Sequence, residues 1–381
     1  MYNNVIRFIR DLYGTDEYLL LHAPCFIGNE KKYLDECIDT TFVSSVGAFV
    51  TRFEKEIAEY TGSPSAVVCV SGTNALHMSL MLAGVERNDE VLTQPLTFVA
   101  TCNALSYIGA KPIFIDVDLD TLGMSPKATR EWLQKNAEVK NGECFNKNTN
   151  RRVKACVPMH TFGHPIHLDE MVAVCKEWNI ELVEDAAESI GSLYKGKHTG
   201  TFGKIGALSF NGNKTITTGG GGMMLFQDPD MGSFAKHLTT QAKVPHKWAF
   251  IHDHIGYNYR MPNVNAALGC AQLENLDRFI ENKRNTAKAY VEFFRNVDGV
   301  RFFEEPQDCR SNYWLNVVIL DNKDAQQNFL QETNDAGIQT RPAWELMPRL
   351  SMFKDCETDG MANAIWLADR IVNIPSGVRL N

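Results

Sequence analysis

The chain has 381 residues and a formal charge of −8, with 44% apolar and 22% charged residues. That length allows two or three domains of ordinary size, and the composition excludes a disordered or fibrous protein. The acidic balance argues against nonspecific nucleic-acid binding, whose affinity comes from cationic contacts to phosphate, and no uncharged stretch approaches a membrane span.

Met1 to Asp11 alternate charge with apolar side chains and show no h-region or cleavage site, so a cytoplasmic protein is expected. Ten cysteines are scattered along the chain without a CxxC or a tight cluster with His. They read as reduced, buried thiols, and no metal is expected. Residues 1–48 form an N-terminal segment ahead of a large domain over 49–260.

Ala66–Val70 reads as a buried strand, followed by Ser71-Gly72-Thr73 and an amphipathic run to Ala83. Glu90–Thr93 is the next strand, with a helix over Phe98–Ile108 and a β-branched strand over Pro112–Val117. Lys140–Arg152 is polar and reads as a surface excursion. Lys154–Pro158 and Ile180–Glu184 repeat the strand pattern around a helix at His167–Trp178. Such a rhythm predicts an α/β fold with a mostly parallel sheet covered by helices on both faces. Gly206–Phe210 and Gly222–Phe226 are joined by a Gly-rich loop, which breaks the alternation. Pro262 can open a long helix at its first position, running to about Phe294 into a smaller α+β unit over 261–381. There Trp314–Leu320 predicts a strand and Ala325–Ala336 a helix.

Four places carry chemistry. Gly72 and Thr73, between a strand and a helix, suit a phosphate, although Ser-Gly-Thr is also an ordinary helix cap. Asp185 lies in Val183–Glu188, where an apolar strand ends in acids, which places a carboxylate where α/β sheets bind ligands or simply at a solvated strand end. Lys214 follows Ser209-Phe210-Asn211-Gly212-Asn213 and precedes four glycines, so its amine can be desolvated and nucleophilic, unlike most loop lysines. Gly256–Pro262, with Asn258 and Arg260, offers anion donors or a plain helix-capping turn. Together with Phe98 as an aromatic face, a phosphate cradle, a carboxylate and an amine are what pyridoxal phosphate (PLP) requires.

The segments SGTNALHMSL, PLTFVAT, VEDAAESIG, SFNGNK to GGGG, and GYNYRMPNVNAALGCAQL resemble the DegT/StrS family of sugar-nucleotide aminotransferases. These are fold-type I PLP enzymes, and the likeness runs from about Phe49 to the C-terminus. PMHTFGHP (158–165), RPAWELMPRL (341–350) and VNIPSG (372–377) look more like the branch that makes 4-amino-4,6-dideoxy-N-acetylglucosamine on UDP, in bacillosamine and legionaminic acid pathways.

By this resemblance, Lys214 attaches the cofactor and shuttles the proton, and Asp185 pairs with the pyridine nitrogen. Phe98 stacks on the ring, and Gly72, Thr73 and Ser209 bind the phosphate, joined by Asn258 from the neighbouring subunit of a homodimer. His160, Glu188, Arg260 and Arg341 are candidates for the sugar. The implied reaction moves an amino group from L-glutamate to the 4-keto group of a UDP-linked 4-keto-6-deoxy-N-acetylhexosamine. Gly220 stands where many relatives carry Glu, so no role transfers for that acid, and the segment after Arg341-Pro342 lacks a common Pro-Leu-His continuation. The alternatives are a 3-keto or GDP-linked sugar, a sugar dehydratase (whose His in place of the lysine is not found at Lys214), and a regulator that binds PLP or nucleotide sugar without turnover.

Overall fold

The alternating strands and helices close into one seven-stranded sheet in a computed structural model that describes residues 2–379. Its strands are β1 (Ser65–Cys69), β2 (Glu90–Thr93), β3 (Lys111–Phe114), β4 (Val153–Val157), β5 (Glu181–Asp185), β6 (Ile205–Ser209) and β7 (Gly222–Phe226). They lie in the order β1-β7-β6-β5-β4-β2-β3. β3, β2, β4, β5 and β6 run parallel, and β7 is antiparallel to both β6 and β1. Only β7 is reversed, because it is joined to its neighbour β6 by a loop instead of a crossover helix.

Both faces of the sheet are covered, so the strands are buried and mostly apolar, with acids confined to β2 and β5. Along β1 the side chains alternate. Val67 and Cys69 pack toward α4 (Gly72–Leu82), while Ala66 and Val68 join Phe49, Phe53 and Ile57 of α3 (Ala48–Thr61). The N-terminal segment divides between the two units. Val5 and Ile9 of α1 (Asn3–Tyr13) pack against Tyr290, Phe302 and Phe329, whereas Cys37 of α2 (Glu30–Asp39) packs with Phe49 and Cys270.

Two expectations need correction. Pro262 is the N-cap instead of the first helical residue, and the expected single helix is two, Asn263–Leu273 and Leu276–Phe294. At the break Asn275 leaves helical geometry (φ −110°, ψ 2°) and caps the second helix, although the apolar spacing continues through it. Lys140–Arg152 is more than an excursion: Ala137–Lys140 pairs with Glu143–Asn146 as a hairpin. Its end is anchored where buried Asn146 donates to Glu90 and Glu357.

The C-terminal unit is an antiparallel sheet, ordered Val300–Phe302, Asn316–Leu320, Ile371–Ile374 and Arg341–Pro342, in contact with the helix Lys323–Asp335. Among the described residues no helix is long and apolar enough to cross a membrane.

Candidate active site

Strand pairing brings the first candidates to one level. Cys69 of β1 and Ser209 of β6 both pair with Gly222, the first residue of β7. The chain leaving β1 therefore turns into α4 beside Ser209. Ser71 caps α4 with an extended backbone, its Oγ accepting from the Asn74 N–H at 3.2 Å. A Cβ on Gly72 would stand 2.7 Å from Ser209 Cβ, and one on Gly222 would stand 2.4 Å from the Ser71 carbonyl oxygen. Both positions thus require glycine for this close approach. The result is a helix N-terminus with free N–H groups, flanked by the Thr73 and Ser209 hydroxyls, facing a cavity of about 310 Å³.

Asp185 ends β5 inside the same cavity. Thr101 Oγ1, on α5 (Val99–Ile108), donates to its Oδ2 at 2.7 Å, and the Ala187 N–H donates to Oδ1 at 3.2 Å. Burial pushes the Asp185 carboxyl above its ordinary pKa, and the Thr101 and Ala187 donors pull it back, as does the charge of Lys214. Glu184, one residue earlier, points to the opposite face of the strand, as strand periodicity demands. It accepts the N–H groups of Gly200, Phe202 and Gly203, each at 2.7 Å, and lies 3.1 Å from His160 Nε2. Burial pushes Glu184 upward too, yet His160 and the amides outweigh it and hold the carboxyl low.

Lys214 sits between two groups. Its Nζ is 3.3 Å from Glu188 Oε1 and 3.9 Å from the centroid of the Trp314 ring. Glu188 Oε2 accepts the Phe162 N–H at 2.8 Å, and Trp314 Nε1 donates to the Asn213 carbonyl at 2.7 Å. Burial pushes the Glu188 carboxyl up to about 7, against the pull of Lys214. Behind the indole, the buried Lys283 amine donates to the carbonyls of Trp314 and Ser376. Phe98 caps α5 with an extended backbone and presents a half-exposed ring to the cavity, 6.2 Å from Trp344.

The sugar candidates do not converge. Glu188 lines the cavity; His160, Arg260 and Arg341 do not. His160 is fully buried and committed to Glu184, so its expected place at the sugar is corrected to the far side of β5. Arg341 is exposed, with its guanidinium on Asn334 Oδ1 and the Thr340 carbonyl, away from the cavity. Arg260 follows Tyr259, whose carbonyl accepts the Val70 N–H, and its Nε is shielded without a partner among the described residues. Asn258 bridges to Thr240 and is exposed, outside the cavity of its own chain.

Sequence reasoning missed Thr101, Trp314 and Trp344. Thr101 lies three residues past Phe98, on the same face of α5, and that spacing was a usable signal. The tryptophans arrive from the C-terminal unit, and nothing local announces them.

Residues 24–381 match the DegT/DnrJ/EryC1/StrS aminotransferase family. The chain is 36% identical to the GDP-perosamine synthase of Escherichia coli O157:H7 over 339 residues, covering 89% of this chain and 88% of that one. It is 37% identical to EpsN of Bacillus subtilis, named as a pyridoxal phosphate-dependent aminotransferase, over 88% of this chain and 84% of that one. The structure of the aminotransferase TlmJ from Streptoalloteichus hindustanus superposes with a TM-score of 0.84 at 26% identity, over 94% of this chain and 93% of that one. The residues present fit pyridoxal phosphate. A cradle that a Cβ on Gly72 would fill suits its phosphate, a buried carboxylate suits its ring nitrogen, and a shielded amine suits its aldehyde.

Proposed function

The chain belongs to the DegT/DnrJ/EryC1/StrS aminotransferase family, and from that premise we propose that it moves an amino group from L-glutamate to the 4-keto group of a UDP-linked 4-keto-6-deoxy-N-acetylhexosamine. It is a PLP-dependent sugar aminotransferase. When bound, PLP supplies an electron sink for the carbon whose proton is moved. Each remaining role is assigned to a side chain. Lys214 Nζ tethers the cofactor, takes the α-proton of the amino donor and delivers a proton to C4 of the sugar. Asp185, fixed by Thr101, holds the ring nitrogen protonated. Thr73 and Ser209 bind the phosphate beside Gly72, and Phe98 stacks on the ring. Glu188, with a pKa raised to about 7 and 3.3 Å from Lys214 Nζ, is placed to exchange a proton with the reacting amine near neutral pH.

The observation that carries this reading is Lys214 Nζ in one cavity with Asp185, held against Glu188 and the Trp314 ring. The UDP-linked substrate is supported by the segments 158–165, 341–350 and 372–377. A GDP-linked keto sugar is the second reading, favoured by the likeness to GDP-perosamine synthase. We also assign the working form as a homodimer in which Asn258 reaches the neighbour's phosphate site. Its support is the cluster of exposed apolar side chains beside Asn258, namely Trp248, Phe250, Ile251 and Ile255, which a second copy would cover.

The test is a visible spectrum of the PLP-loaded enzyme, first with L-glutamate and then with either a UDP- or a GDP-linked 4-keto-6-deoxy sugar. Glutamate is expected to bleach the yellow band and the UDP sugar to restore it, with NMR placing nitrogen on C4. Recovery with the GDP sugar alone would overturn the UDP assignment, and no bleaching by glutamate would overturn the donor.

A further inference from the structure

Outside the cavity, two groups of side chains have the spacing of a metal centre among the described residues, and one of them supplies two imidazoles. We propose that His237, Asp253 and His254 bind one divalent transition ion, with zinc as the occupant. His237 sits in the last turn of the helix Pro229–Thr239, and Asp253 and His254 directly follow the short strand Ile251–His252. His237 Nε2 is 2.6 Å and His254 Nδ1 is 2.9 Å from the same oxygen, Asp253 Oδ1. All three ligand atoms lie within 4.8 Å of one another.

Zinc bonds of 2.0–2.2 Å in a tetrahedron separate neighbouring ligand atoms by roughly 3.4 Å. Shifts of under about an ångström in these side chains therefore open the centre to an ion. The two imidazoles cross at 89° with centroids 5.9 Å apart, so they do not stack, and their nitrogens converge on one point.

The surroundings favour a cation. Asp253 Oδ2 has no hydrogen-bond partner among the described residues, which leaves a free oxygen for the ion. The C-terminal end of a helix carries partial negative charge, which also favours a cation beside His237. Phe234 packs edge-on against the His254 ring at 5.3 Å and limits its freedom. The backbone is tied nearby, with the Ala242 N–H on the His237 carbonyl at 2.9 Å and the Asp253 N–H on the Ala242 carbonyl at 3.3 Å. His252 is not part of the set, because its Nδ1 lies 2.7 Å from the Gln241 carbonyl.

Two nitrogens and one oxygen select zinc over calcium or magnesium, which prefer oxygen cages, and water completes the fourth position. The ion would pin the helix end to the hairpin of Lys243–Val244 and Ile251–His252, the segment that leads into Asn258. Local spacing did not reveal the site, since His237 lies on a different element from its partners.

The test uses tag-free, PLP-loaded enzyme treated with chelator and then titrated with zinc chloride by calorimetry, with dialysis and metal analysis for stoichiometry. Zinc is expected to bind at this site once per chain, and excess magnesium should not displace it. His254→Ala and Asp253→Asn should each weaken binding about tenfold or more, by the scale on which metal sites respond to lost support. His167→Ala, in the separate group Asp118, Asp120 and His167, should leave it unchanged. Undiminished binding in His237→Ala and His254→Ala, or no stoichiometric binding, would show that the three residues form only an imidazole–carboxylate ion pair and would overturn the proposal. All three side chains are surface-accessible, so the variants should fold.

Discussion

The inner and outer halves of the cavity are built by different rules. The inner half takes Thr73, Asp185 and Ser209 from the ends of β1, β5 and β6, each within a few residues of its strand. Pairing of Gly222 with both Cys69 and Ser209 sets their level. The outer half takes Trp314 and Trp344 from the C-terminal unit, while His160 faces the back of β5 and Arg341 lies on the outer surface. The difference teaches that the end we assign to the cofactor is specified by local strand-to-helix turns, and the end we assign to the substrate by how two units meet.

Lys214→Ala is the hardest blow to that contrast. It should cut turnover by about 10⁴-fold, the upper end of what a positioned proton carrier contributes, with circular dichroism and melting little changed. Near-native turnover in a stopped assay would mean that the inner half does not do the chemistry.

A smaller effect is expected from Thr101→Val, which removes the 2.7 Å donor to the buried Asp185 carboxylate. A hydrogen bond to a charged group is worth about 1.5–3 kcal/mol. Losing it raises the Asp185 pKa further. The ionised form is then lost earlier as pH falls, so the acid limb of the kcat/KM profile should move to higher pH. An unmoved acid limb would detach Thr101 from the inner half.

The least change is expected from Arg341→Ala, because the guanidinium is exposed and, among the described residues, bonded only to Asn334 and Thr340. The KM for the nucleotide sugar should stay within about twofold, and stability within about 0.5 kcal/mol. A tenfold rise in KM would show that the two units close further around the substrate.

The same contrast decides what was legible in the sequence. Glu90–Thr93 and Gly222–Phe226 have the bounds read from apolar runs, since a short buried strand is marked at both ends by polar or Gly residues. The Ser71 cap, the acids ending β5 and the glycine-flanked Lys214 were readable because each is a local conformational demand. His160 was misplaced because neighbouring acids, Glu184 and Asp185, serve opposite faces of one strand, and the histidine is bonded to the first. The helix break at Asn275 was hidden because the apolar spacing runs unbroken across it. Trp314 reaches Lys214 only after the C-terminal sheet has docked, so its role is a property of packing between distant segments.

The indole beneath the Lys214 amine gives the enzyme an optical gauge of its own. Trp314 and Trp344 are two of six tryptophans in the chain, and both stand in the cavity wall. A chromophore absorbing in the near ultraviolet will accept their excitation energy when it arrives. Loading of the coenzyme is therefore readable as quenched intrinsic fluorescence, without any label.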